Sequence, residues 1–228
     1  MDFPSFIVYS VPILAVWVGF AFVWLTKPKD TGNIKLLLAF SGAFLLSLTF
    51  FELLPEVYEG HDAKVIALYI LGGILLQIFL EFFSKGAEHG HMHIHVKENR
   101  FPVLLFLSLC IHALVEGVPI HGNNSILYGI VIHKIPIAII LSIFLINSKM
   151  KIGSTLLFVA AFSLMTPLGS YISTSSWIAQ YGHLLTALAI GVFFHISTII
   201  LFESSQGHAF NLRKLVVIIL GVGIAYLV

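Results

Sequence analysis

The chain has 228 residues, 58% of them hydrophobic and only 10% charged, with a formal net charge of +1 and a mean hydropathy of +1.00. A soluble domain carries about 25% charged residues, so the composition excludes a soluble globular fold, and a near-neutral balance gives no ground for a nucleic-acid partner. A single cysteine, Cys110, excludes an internal disulfide and Cys-rich zinc sites.

In lipid only helices or a closed barrel satisfy every backbone polar group, and apolar runs of this length select helices. Eight spans are predicted, at 6–25, 34–54, 65–83, 103–121, 125–146, 153–172, 182–202 and 212–228. The first lacks a basic leader and a small-x-small cleavage site, so it reads as a retained span rather than a signal peptide. Its Trp17 and Trp24 read as lipid or interface anchors. The second ends in an acidic stretch, Glu52, Glu56, Glu59, His61 and Asp62. Glu52 and Glu56 are candidate entrance residues for a cation, whereas Glu59, His61 and Asp62 read as a solvated loop.

The third span carries Gln77 and Glu81 near its far end, with Glu81 expected to reach the headgroup region. The only sizeable loop follows, at about 84–101, and holds His89, His91, His93 and His95 in strict alternation. Such a tract faces one way only when extended, and short His-rich tracts bind metal. It is read as an accessory metal contact. The fourth span carries His112 and Glu116, with Cys110 as a small packing residue, and the fifth carries His133 and Lys134. The sixth contains Pro167, the seventh His183 near its start and His195 deeper, and the eighth is the shortest.

Basic residues cluster after the first, third and fifth spans and before the eighth, accounting for ten of the twelve. The positive-inside rule then places both termini outside the cytoplasm and the histidine loop inside it. With all other connections short, residues 1–228 read as a single transmembrane domain in a cell membrane.

Ionisable groups inside hydrocarbon cost about 2.5–3.5 kcal/mol each on insertion scales and mark function by default. His112 and Glu116 are four apart and share one helix face. The turn at His121-Gly-Asn-Asn-Ser125 makes spans four and five antiparallel neighbours. Counted from Asn123, His112 and His133 lie about 15 Å deep, Lys134 shares their layer, and Glu116 is one turn nearer the outside. Pro119 and Pro136 cannot donate to the carbonyls of Val115 and Ile132, and freed carbonyls in a membrane suit a polar cavity or an ion. His and Glu ligate divalent transition metals. The competing reading is a buried Glu116–Lys134 ion pair, which leaves the two histidines unexplained.

This pattern resembles the ZIP (Zrt/Irt-like) family of metal-ion transporters over nearly the whole chain. The resemblance rests on His112-x-x-x-Glu116-Gly117 in span four, His133-Lys134-x-Pro136 in span five, Leu54-Pro55-Glu56 ending span two, and the histidine-rich loop. It implies an eight-helix bundle with both termini outside, and a secondary transporter that brings zinc, iron or manganese into the cytoplasm. It also implies an elevator-like movement of the bundle containing helices four and five, and leaves a homodimer open. The metal is then substrate, not cofactor.

Departures from the family pattern are Ala113, Lys134, Ile137, Thr166 and, for a histidine, Glu52. They leave one metal site of His112, Glu116 and His133, with the Lys134 ammonium standing where a second cation would sit. Its affinity is expected to fall as the histidines protonate, because ligation needs neutral imidazole. Two other readings stay open: a ZIP homologue that binds metal without moving it, and an intramembrane metallohydrolase. The hydrolase needs a further general base at the metal. No His-Glu-x-x-His motif and no second carboxylate at the depth of Glu116 provides one, so the chain is not expected to be an enzyme.

Overall fold

The computed structural model describes residues 3–28, 32–84, 101–121, 123–148, 150–203 and 212–228. Eight long helices follow the eight predicted apolar runs: α1 (Ser5–Thr26), α2 (Gly32–Tyr58), α3 (Ala63–Ser84), α4 (Val103–Ile120), α5 (Asn124–Asn147), α6 (Ile152–Ser173), α7 (Gly182–Glu203) and α8 (Leu212–Leu227). Among the described residues there is no strand, and one short helical turn, Ser176–Ala179, precedes α7. Seven of the helices are long and apolar enough to cross a membrane; α8, at 16 residues, is shorter. The protein is an all-α membrane bundle.

α5 lies at the centre, packed between α1 and α2, and 67% of its apolar window is buried against only 28% for α3. Large side chains such as Leu68, Leu75, Phe79 and Phe82 of α3 are exposed, as a lipid-facing surface requires. α8 covers α2, and α3 pairs with α7. With no hydrophobic drive between helices in lipid, small residues set the close crossings. A Cβ on Gly73 of α3 would collide with the Leu188 carbonyl of α7, and one on Gly117 of α4 with the Thr166 carbonyl of α6.

Two local features depart from regular helix. α2 passes through a π turn at Thr49–Leu53 before its last turn, Leu54–Tyr58. Pro55 there has no N–H to donate and its ring crowds the preceding turn, which a π turn accommodates. α4 tightens into a 3₁₀ turn at Val118–Ile120. That corrects one expectation, for the Val115 carbonyl is not freed by Pro119: it accepts from the Val118 N–H instead.

Candidate metal-ion site

The turn between α4 and α5 is built from its own polar side chains. The Asn123 side chain caps α5 by accepting from the Ile126 N–H at 3.1 Å, and Asn124 Oδ1 accepts from the Phe3 N–H at 3.1 Å. α4 is fixed on its other side by α6. Gly117 and Gly169 bring the two backbones together, and Thr166 Oγ1 donates to the Ala113 carbonyl at 2.9 Å. Thr166, fully buried, thus locks the helix turn that presents His112 and Glu116. On α5, the backbone from Ile135 to Ile139, around Pro136, is covered closely by Gly19 of α1.

Inside this frame the Lys134 Nζ donates to Glu116 Oε2 at 2.8 Å, with both side chains at most 2% exposed. The ammonium also lies 5.0 Å from the centroid of the Phe162 ring of α6, a cation–π distance. His112 Nε2 stands 4.0 Å from the same Glu116 oxygen. The ion pair read as the competing explanation is therefore present. It does not account for everything around it. Glu116 Oε1 and both ring nitrogens of His133 are buried with no hydrogen-bond partner among the described residues. A buried acceptor or donor left unpaired costs about 1–3 kcal/mol, more for a charged group.

Of the sequence-predicted set, His112, Glu116 and Lys134 come together. His133 is buried in the adjoining position of α5, and among the described residues no three His, Cys, Asp or Glu side chains converge tightly enough to hold a metal ion. The lysine occupies the carboxylate that such a trio needs.

Above Glu116 a cleft of about 160 Å³ opens, lined by Glu56 of α2, Val118, Pro119 and His121 at the end of α4, and Thr186 of α7. Glu56, a candidate entrance residue, is thus on the wall of a cleft whose floor is the turn after Glu116. Glu52 lies half-buried in the π turn of α2. His121 entered the sequence reading only as the first residue of the turn between spans four and five, not as a site candidate.

The remaining polar residues have other partners. Asp62 Oδ1 caps α3, accepting from the Lys64 and Val65 N–H groups, in keeping with the solvated-loop reading. His61 and His183 stack at 4.0 Å between ring centroids. Glu81, near the end of α3, meets His195 of α7 across the helix pair at 2.7 Å. His89, His91, His93 and His95 lie outside the described residues.

No family model matches the chain. Two known proteins are similar to it. Protein zntD of Dictyostelium discoideum is 30% identical over 153 residues, covering 56% of this chain and 22% of that protein. Zinc transporter ZIP1 of Danio rerio is 32% identical over 122 residues, covering 48% of this chain and 40% of that protein. The chain spans less than half the length of either.

Proposed function

We propose that this chain, a relative of the ZIP family of metal-ion transporters, moves a divalent transition metal, zinc in the first place, across a cell membrane into the cytoplasm. His112, Glu116 and His133 are the proposed ligands. Three protein ligands with one open position suit zinc held transiently, and iron or manganese would accept the same donors. Glu56 and His121 would draw the hydrated ion into the cleft above Glu116, with Glu52 as a further acidic contribution. His89, His91, His93 and His95 would receive it on the cytoplasmic side. Inward direction is what the family resemblance implies; the placement of basic residues orients the termini and the histidine loop.

One observation carries this reading. Among the described residues, a carboxylate oxygen and a whole imidazole are buried without a partner, beside a pair that would be complete without them. Donors of that type, at that depth, suit a cation that comes and goes. A non-transporting role has its own support in the 2.8 Å Glu116–Lys134 pair, which by itself would hold α4 to α5.

Uptake of radiolabelled zinc into proteoliposomes separates the two. The transporter reading expects saturable uptake by the wild type that falls at least tenfold in His133→Ala and Glu116→Ala, with the variants folded by thermal melting. Uptake equal to that of empty liposomes, or untouched by His133→Ala, would leave the structural pair as the better account.

A further inference from the structure

We infer that the groove between α1 and α6 binds one anionic phospholipid, with an acyl chain along the aromatic face of α1 and the phosphate at Lys27 and Lys151. This goes beyond the transport reading and does not depend on which residues hold a metal. The groove measures about 430 Å³ and is lined only by apolar side chains, chiefly Trp17, Phe20, Trp24 and Leu25 of α1 and Ile152 and Leu156 of α6. Its α1 wall is a ladder of rings. Trp17 and Phe20 meet edge to face at 5.9 Å between centroids, and Phe20 and Trp24 stack at 6.1 Å. Residues three and four apart share one helix face, so the ladder runs along the groove rather than around the helix.

The apolar wall alone selects nothing. Lipid tails are as apolar as leucine, so a chain gains no hydrophobic energy by leaving the bilayer for the groove. Selection has to come from the polar end. The groove is bounded by the last turn of α1 and the first turn of α6. Lys27 closes the one and Lys151 opens the other, and both are exposed. Each can lay its stem on the apolar wall and hold its ammonium at headgroup level. Half-exposed Trp24 lies at the same end, where an interface aromatic belongs. Neither α1 nor α6 contains an Asp or Glu, so no carboxylate on either wall competes for the two ammonium groups. An apolar groove ending in two cations and no anion complements a head of net negative charge better than a zwitterionic head, whose own cation the lysines repel.

The place of the groove gives the lipid a consequence. Gly19 of α1 covers the α5 backbone around Pro136, and α6 locks α4 through Gly117 and Thr166. A lipid held across α1 and α6 therefore ties together the two helices that flank the candidate metal-ion site.

The chain reports on the groove through its own tryptophans. Of the three, Trp17 and Trp24 line it, and Trp177→Phe removes the other. The full chain with that substitution is reconstituted in phosphatidylcholine vesicles containing phosphatidylglycerol. Brominated acyl chains, which quench tryptophan on contact, are placed either on the phosphatidylglycerol or on the same molar amount of phosphatidylcholine. A basic residue near an anionic surface favours binding about fivefold, so the two lysines give a preference of about 25-fold, and with about one lipid in ten anionic the groove holds that lipid about three-quarters of the time. Brominated phosphatidylglycerol is expected to quench at least threefold more than brominated phosphatidylcholine. The difference should vanish in Lys27→Gln/Lys151→Gln. It should also vanish with both lysines present in about 1 M salt, where charges are screened within about 3 Å; the salt arm decides if the double variant fails to fold. Equal quenching by the two lipids at low salt would mean a general lipid annulus, and a preference that survives the double substitution or the salt would put the anionic lipid elsewhere; either result overturns the inference. Quenching by neither lipid, with a particle of twice the chain's mass by light scattering, would mean that a second copy covers the groove and would overturn it as well.

Discussion

At the scale of single residues, the stability role of Glu116 and Lys134 is separable from any role in transport. Both are buried, and each is the other's nearest opposite charge. Removing one partner of a buried pair leaves an uncompensated ion and costs about 3–5 kcal/mol, whereas replacing both with apolar residues of similar volume is often neutral. Glu116→Leu alone is therefore expected to lower the melting temperature substantially, Lys134→Met less so, because the carboxylate left behind still has His112 Nε2 4.0 Å away. The double variant Glu116→Leu/Lys134→Met should recover most of the loss, a coupling that a thermal-melt double-mutant cycle measures directly. Losses that simply add would mean the 2.8 Å contact contributes nothing to the fold. The pair was legible in sequence as an alternative, from depth counting alone. That Phe162 lies beside the ammonium was not legible, since helix rotation decides which of the many phenylalanines turns inward and the sequence does not encode that rotation locally.

At the scale of helices, the site is only as well placed as the α4–α6 crossing that holds it. Gly117 and Gly169 are in backbone contact across that crossing, so adding a methyl group at either would drive it into carbonyl oxygens that cannot rotate away. Overpacking costs about 1–3 kcal/mol where neighbours can yield, and backbone yields less than side chains. Gly117→Ala and Gly169→Ala are expected to destabilise the protein and to break the Thr166 hydrogen bond to the Ala113 carbonyl. Gly72→Ala, where a Cβ meets nothing within 4 Å, should melt as the wild type does. If all three alanine variants melt alike, the crossing is not held by glycine. The helices themselves were legible because each is a continuous apolar run between charged or Pro/Gly-containing breaks, and hydropathy fixes their ends to within a few residues. The π turn at Thr49–Leu53 was not, because an extra residue in a turn leaves the apolar pattern nearly unchanged. Nor was the Glu81–His195 contact, which depends on α3 and α7 being paired through Gly73 and Gly191, far apart in sequence.

At the scale of the whole molecule, the proposed orientation reduces to which side of the membrane each end of the central helices faces, and here the chain supplies its own reporter chemistry. Its one cysteine, Cys110, is buried in α4, so a Cys110→Ala background carries no thiol and substitution there removes only a small packing group. Single cysteines can then be placed at Asp2, Lys27, Glu59 and Lys151. The orientation expected from the basic residues has Asp2 and Glu59 outside the cytoplasm, and Lys27 and Lys151 inside it. A membrane-impermeant maleimide applied to intact cells should label Asp2→Cys and Glu59→Cys, and should reach Lys27→Cys and Lys151→Cys only after permeabilisation. Because Glu59 closes the last turn of α2, three residues beyond the Glu56 that lines the cleft, its labelling also reports where that cleft opens. The reverse pattern would put the cleft on the cytoplasmic side and overturn the reading of Glu56 and His121 as outer entrance residues. Lys134 distinguishes nothing here, since a residue at the centre of the membrane is equally far from either face; only the ends of the helices carry the information about orientation.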